Sequence, residues 1–564
     1  MCLQTRRTFL GAASAMTAGA LLAGPRGAMG QEPSAPRLPN VVLIITDDQG
    51  YGDLGCHGNP VLKTPHLDRL HAESTRFTRF HVCPVCSPTR ASLMTGRYNY
   101  RTGVVDTYAG RSMMHADEVT LAEALSRGGY RTGIFGKWHL GDNHPMRAMD
   151  QGFQEALVHR GGGVGQPSDP PGNSYFDPVL SHNGRDEKHE GYCTDIFTNA
   201  AIAFIESNRD RPFFAYLSTN APHVPLQIDD RHVAPYRAAD VSEGAAKVYG
   251  MIANIDENVG RVLDTLARLD IERDTIVIFM TDNGGTPAED ADRFNAGLRG
   301  WKGSVYEGGI RVPFFLRWPG VAAAGRDIDR VAAHIDVFPT LLAACGIDPM
   351  EGVQVDGLNL LPLLREETPD WPDRNLFFQW HRGDAPEPFR QCAVLNQRYK
   401  LVDGKELYDL DRDPAEERDI AADQPERVAQ MRAAYETWFA DVSATRGYAP
   451  PRILLGTPHE NPVVLTRQDW RGAEGWGAHD VGHWEVRVAA AGTYTVRLRF
   501  PAVEQAAGAL FRLGDVALGI PLHGGEESCE FAGMALPAGD ARLEAFLQQG
   551  SRYTGVHYVD VIKQ

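Results

Sequence analysis

The sequence predicts an α/β protein: a mostly parallel sheet sandwiched by helices, then a small antiparallel α+β subdomain, then a C-terminal β-sandwich. Three patterns carry this reading. Asn40 to Thr46 (NVVLIIT) is a nearly unbroken apolar run, as in a strand buried on both faces. Strand-like and helical runs then alternate over about 300 residues. Beyond about Asp370 the runs become short and closely spaced, and the last hundred or so alternate apolar with polar residues.

In chain order, a proline-rich lead (EPSAPRLP) precedes that first strand. Helical patterns follow at Thr120 to Arg127, Thr194 to Ser207 and Gly244 to Leu269. Strands are expected at Arg131 to Phe135, Pro212 to Ser218 and Asp274 to Met280. This main domain is assigned to residues 39–365. NLFFQWH, QCAVLN, RYKLV and ELYDL read as short strands, and PERVAQMRAAYETWFADV as a helix, giving a subdomain at 366–446. Gly447 to Pro462 reads as a linker, because Pro and Gly are frequent there. HWEVRVA, GTYTVRLRF, ALFRLG, ARLEAFLQ and YVDVIK then predict a β-sandwich over 460–564. No internal repeat is evident.

The net charge of −17 argues against nucleic acid as a partner, since a phosphate backbone calls for a basic face. It leaves room for a locally basic cleft. At the N-terminus, Arg6 and Arg7 precede Phe9, Leu10 and a short apolar run, the order of a twin-arginine export signal over residues 1–30. Small residues at Ala28-Met29-Gly30 suit cleavage, so the mature protein is expected to start near Gln31, in the periplasm or outside the cell. No segment of that mature chain is expected to span a membrane. Of the eight cysteines, Cys2 would leave with the signal, and the irregular spacing of the rest implies no disulfide framework.

The candidate chemistry lies at strand ends, where open α/β sheets place their ligands. Asp47 and Asp48 follow the first strand, and Asp282 and Asn283 follow the Asp274 to Met280 strand. Such hard oxygen donors suit Ca²⁺ or Mg²⁺. Ser87-Pro88 reads as a helix start, which puts Cys86 at a helix N-terminus and Arg90 one turn in. Cys83 and Cys86 also form a CxxC, but that leaves Pro88-Thr89-Arg90 unexplained. Lys137 and His139 sit two apart after a strand, on the same side of an extended chain. His223 follows another strand, and Lys302 lies in a glycine-rich loop. Each alone reads as an ordinary surface lysine or a hydrogen-bonded histidine.

Together these residues resemble the type I, formylglycine-dependent sulfatases of the alkaline phosphatase superfamily. The family signature, Cys-x-Pro-x-Arg with a downstream Thr-Gly, stands here as Cys86-Ser87-Pro88-Thr89-Arg90 and Thr95-Gly96. The resemblance spans roughly residues 39 to 440 and implies an alkaline phosphatase-like fold. It also takes in HIDVFPTLL, whose Asp336 reads as a helix start and not as chemistry.

The resemblance implies that a separate formylglycine-generating enzyme oxidises Cys86 to Cα-formylglycine, an aldehyde that hydrates to a geminal diol. A sulfated diol can lose a proton from its second oxygen and collapse, expelling sulfate, where a sulfated serine would be a stable ester. Asp47, Asp48, Asp282 and Asn283, with residue 86 itself, are then the metal ligands. Arg90 orients the diol, Lys137 and Lys302 hold the sulfuryl oxygens, His223 is the candidate acid and His139 the candidate base. Residues 141 to 192, dense in Gly, His and Arg, read as a specificity segment or as an excursion packed on the sheet. Trp470, Trp476 and Trp484 read as sandwich core or as sugar-stacking surface.

The expected substrate is a sulfated glycan or small molecule, a galactose- or hexosamine-type sugar first. The alternatives are a broad aryl sulfatase, a phosphonate monoester or phosphodiester hydrolase of the same superfamily, and an inactive sugar-binding protein.

Overall fold

A computed structural model of the chain describes residues 38–287, 293–367, 371–473, 475–477 and 479–564. The expected export signal and the start of the subdomain near Asp370 lie outside these residues. The α/β class holds. A ten-stranded sheet has at its centre, in order, Thr275–Thr281, Asn40–Thr46, Phe213–Ser218, Arg131–Lys137 and Glu155–His159, all parallel. Antiparallel neighbours flank this centre on both sides. In register, Leu43 lies opposite Tyr216 on one side and Ile278 on the other.

The apolar run of the first strand is explained by two cores. Val41, Leu43 and Ile45 pack on one face of the sheet with Ala91, Leu93 and Leu341 from helices Cys86–Thr95 and Val337–Ala344. Val42 and Ile44 pack on the other face with Phe197, Ile205, Ile255 and Leu263 from helices Cys193–Asn208 and Glu243–Arg268. Side chains alternate across a strand, so a strand covered on both faces has to be apolar throughout.

Residues 141–192 are largely architectural. They add Glu155–His159, Val179–His182 and Arg185–Lys188 to one end of the sheet. Only the turn around Gly162 and Gln166 reaches the cleft described below.

Leu376–Gln379, Cys392–Leu395, Tyr399–Val402 and Glu406–Asp409 form an antiparallel sheet. Helix Pro425–Ala444 covers it through Met431, Tyr435, Trp438 and Val442. The C-terminal part is two stacked sheets, of six strands and four.

The expected linker contains a strand: Ile453–Leu455 pairs in parallel with His483–Val488. Pro and Gly disfavour helix there but leave room for a three-residue edge strand. Trp470 and Trp484 are fully buried sandwich core, whereas Trp476 lines the cleft. Among the described residues, no helix is long and apolar enough to cross a membrane, and all seven cysteines are free.

Candidate active site

The floor of the site is built from strand ends. Asn40–Thr46 ends on Asp47 and Asp48, and its parallel neighbour Thr275–Thr281 ends on Asp282 and Asn283. Equal register brings the two pairs together: the Asp48 amide donates to Asp282 Oδ1 at 3.2 Å, and Asn283 Nδ2 donates to Asp48 Oδ1 at 2.8 Å. Asp48 lies at φ 66°, a left-handed conformation that turns the chain over the sheet edge.

Cys86 is the first residue of its helix. Its N-cap, Val85, makes no side-chain capping bond, so no side chain occupies the helix's leading amides. All ten side chains of this helix are buried. Arg90 crosses to Asp282, donating from Nε at 3.1 Å and Nη2 at 2.7 Å, and from Nη1 to Ser218 Oγ at 2.5 Å. Cys83 is not its redox partner: its sulfur lies 3.3 Å from His334 Nε2.

The two histidines differ from the simple expectation. His139 is not on an extended chain; it sits at φ 60°, which turns Nδ1 to within 3.5 Å of Cys86 Sγ. Its Nε2 is 2.7 Å from the Thr107 carbonyl, so Nε2 carries the proton and Nδ1 presents a lone pair to residue 86. Burial, reinforced by Lys137, holds the His139 pKa far below the usual imidazole range. His223 donates from Nδ1 to the Val224 carbonyl at 2.6 Å and points Nε2 at Asp48 Oδ2, 3.9 Å away. Burial pushes its pKa down to about 4, against the pull of Asp48.

The lysines are also more constrained than expected. Lys137 is the last residue of its strand, fully buried, with Nζ 2.5 Å from Asp47 Oδ2. Like Asp47, Asp48, Asp282 and Asn283 it is not among the residues lining the open cleft, and its charge acts on Cys86. Lys302 does line it, with Nζ 2.5 Å from Asp48 Oδ1 and an 18% exposed side chain. Asp336 behaves as a helix start: its carboxylate accepts from the Ala333 and Leu358 amides, away from the cluster.

This donor set fits a cation. Asp47 Oδ1 and Asn283 Oδ1 are buried with no hydrogen-bond partner. Oxygens of Asp47 and Asp282 lie within 4.8 Å of each other and of Cys86 Sγ. Burial and the neighbouring Asp47 push Asp282 up to about 7 despite Arg90, while Lys302 and His223 overcome burial to hold Asp48 well below the carboxylate range. Oxygen donors of this kind match Ca²⁺ or Mg²⁺.

Above the floor opens a cavity of about 1100 Å³. Its walls hold Tyr108, Trp301, Trp380, Arg382 and Trp476, none of which sequence reasoning assigned to the site. Arg382 stacks over Tyr108 at 4.5 Å and Trp380 at 5.0 Å, and Trp476 meets Tyr108 edge-on at 5.2 Å. Trp301 carries a local signal in being next to Lys302, and Trp476 reads from the sequence as either sandwich core or sugar-stacking surface. All but Trp301 come from distant loops of the main domain, the subdomain and the sandwich.

The profile of the Sulfatase family matches residues 39–347, and that of N-sulphoglucosamine sulphohydrolase, C-terminal, matches 297–438. Arylsulfatase A of Homo sapiens is 34% identical over 491 residues, spanning 76% of this chain and 92% of that protein. N-acetylgalactosamine-6-sulfatase of Homo sapiens is 33% identical over 379 residues, 62% of this chain and 70% of that protein. Among solved structures, Ps i-CgsB in complex with k-i-k-neocarrahexaose is similar at a TM-score of 0.66 and 29% identity, covering 73% of this chain and 95% of that one. The family match runs over more than half the chain and contains every residue of the cluster around Cys86: the chain belongs to the sulfatases and is a sulfuric ester hydrolase.

Proposed function

We propose that this sulfatase removes sulfate from the end of a sulfated glycan, on a galactose- or hexosamine-type sugar, with Cys86 converted to formylglycine and Ca²⁺ held by Asp47, Asp48, Asp282, Asn283 and residue 86. The observation that carries the proposal is the placement of residue 86. It lies at a helix N-terminus, between the His139 lone pair and the carboxylates, at the floor of an aromatic-walled cavity. The aromatic rings and Arg382 suit a sugar, whose CH faces stack on rings while its hydroxyls take hydrogen bonds. Relatives named for sugar sulfates and a neighbour solved with neocarrahexaose support the same class.

The cation, when bound, supplies Lewis-acid polarisation of sulfate oxygens. The chain's own residues do the rest. Lys302 faces the cleft and is placed to bind the sulfuryl group as charge builds on it. Lys137 pairs with Asp47 and holds it in place, with its charge acting on residue 86. Arg90 fixes Asp282 and sits beside residue 86. His139 Nδ1 is placed to take a proton from a hydroxyl on residue 86. His223 Nε2 faces the cleft; an entering sulfate ester adds negative charge beside it, favouring the protonated form that a leaving alcohol needs.

The proposal includes twin-arginine export of a folded, already modified protein, supported by Arg6 and Arg7.

The test is sulfate release from defined 2-, 4- and 6-sulfated galactose and hexosamine sugars. Peptide mass spectrometry would verify the aldehyde at residue 86, and Cys86→Ala would serve as the blank. Release from one or two members is expected, abolished by chelation and restored by Ca²⁺. Silence from aldehyde-bearing protein would overturn the sugar reading and bring forward aryl sulfates, which the likeness to arylsulfatase A favours.

A further inference from the structure

We propose that Gln468, carried on the C-terminal β-sandwich, is a positioning residue for His139. The two are joined through one atom. The Thr107 carbonyl oxygen accepts from His139 Nε2 at 2.7 Å and from Gln468 Nε2 at 2.9 Å, filling both lone pairs. A carbonyl needs a donor, so the Gln468 amide nitrogen, not its oxygen, faces Thr107.

Gln468 is itself held. It is 1% exposed, its Nε2 also donates to Ser112 Oγ at 3.1 Å, and its own carbonyl accepts from the Gly110 amide at 2.9 Å. The loop from Thr107 to Ser112 is therefore clamped at three points by one sandwich residue.

The clamp matters because of what it holds. His139 has a backbone conformation that L-residues rarely adopt, so its ring direction depends on its partners. The Thr107 carbonyl keeps the proton on Nε2 and leaves the Nδ1 lone pair toward residue 86. Ser87, beside Cys86, ties the other side by donating to the His139 carbonyl at 2.9 Å. A part of the chain outside both family matches thus sets the geometry of the candidate base. The inference rests on the role given to His139 above.

The experiment is a double-mutant cycle on aldehyde-verified protein with a small aryl sulfate, which makes little use of the sugar-binding walls. Gln468→Met keeps the side-chain length but removes the donor. It is expected to lower kcat about ten- to a hundredfold, as loss of a supporting partner usually does, with KM little changed. In a His139→Ala background it is expected to cost nothing further. Trp484→Phe, in the sandwich core, reports what a loss of sandwich stability alone does to kcat at matched Tm. Should the methionine variant not fold, Gln468→Asn, which draws the amide back by one methylene, is read the same way. The full fold-loss persisting in His139→Ala, or a kcat that only tracks the Trp484→Phe control, would overturn positioning alone. An unimpaired His139→Ala would overturn the role of His139, and this inference with it.

Discussion

Arg90 shows how much of the site rests on one side chain. It is 1% exposed and its fork is divided between Asp282 and Ser218. Removing one partner of a buried ion pair leaves the other charge unpaired, at a cost of about 3–5 kcal/mol. Arg90→Ala is expected to lose about that much stability in a denaturant titration, together with all sulfatase activity. Arg90→Lys restores charge but not the planar fork, so it should recover only part of the loss. A destabilisation by Arg90→Ala below about 1 kcal/mol would mean that Asp282 simply takes up a proton, which its pKa near 7 makes the competing outcome.

At the scale of elements, the site depends on how closely two parallel strands approach. Gly136, one residue before Lys137, lies at φ 118°, and a Cβ there would stand 1.8 Å from the Ser218 carbonyl oxygen. Ser218 Oγ in turn donates to the Lys137 carbonyl at 2.8 Å. Gly136→Ala would have to part the strands that carry Lys137 and Ser218. The expected result is a sharp fall in soluble, folded yield and loss of activity in what remains. Gly129→Ala is the control: it also has a positive φ, but open space around it, so it carries only the backbone cost of about 1–2 kcal/mol. Equal behaviour of the two variants would show that strand spacing at Gly136 does not limit the site.

At the scale of the whole molecule, the sandwich is part of the enzyme's body. Its apolar core takes in Ala109, Met113 and Met146 from the main domain. Asp384 of the subdomain bridges Arg111 and Arg471, and Tyr558 donates to the Asp169 carbonyl. A chain ending before Ile453 would expose those apolar side chains and is expected to be poorly soluble and inactive, as read by soluble yield and sulfate release.

The same junction buries three carboxyls. Burial pushes Asp142 up to about 6, and raises Glu460 and, more strongly, Asp469, whose two oxygens lack partners. A folded-state pKa above the unfolded one means stability that is full below the unfolded value, near 4, and is lost as pH rises through the folded value. Buried histidines such as His159 and His334, with lowered pKa values, act in the opposite sense. The difference between Asp469→Asn and the parent isolates the carboxyl: the variant's Tm should gain on the parent as pH rises from about 5 to 8. A constant difference would mean that Asp469 is ionised in the folded protein as it is in the unfolded chain, so that burial does not raise its pKa.

The sequence by itself determined the sheet and the floor of the site. An unbroken apolar run leaves a strand no choice but burial on both faces, and strands in register deliver their terminal residues to one edge, so Asp47, Asp48, Asp282 and Asn283 could be named before any coordinates. Cys86 and Arg90 were legible because a proline in a first turn marks a helix start. What only the tertiary structure decided was how these groups are held and what covers them. The left-handed turn at His139, the pairing of Lys137 with Asp47, the meeting of Tyr108, Trp380 and Trp476 around one cleft, and the placing of Gln468 behind Thr107 come from contacts between residues tens to hundreds of positions apart. Local patterning records whether a side chain faces a core, and is silent on which distant loop will meet it there.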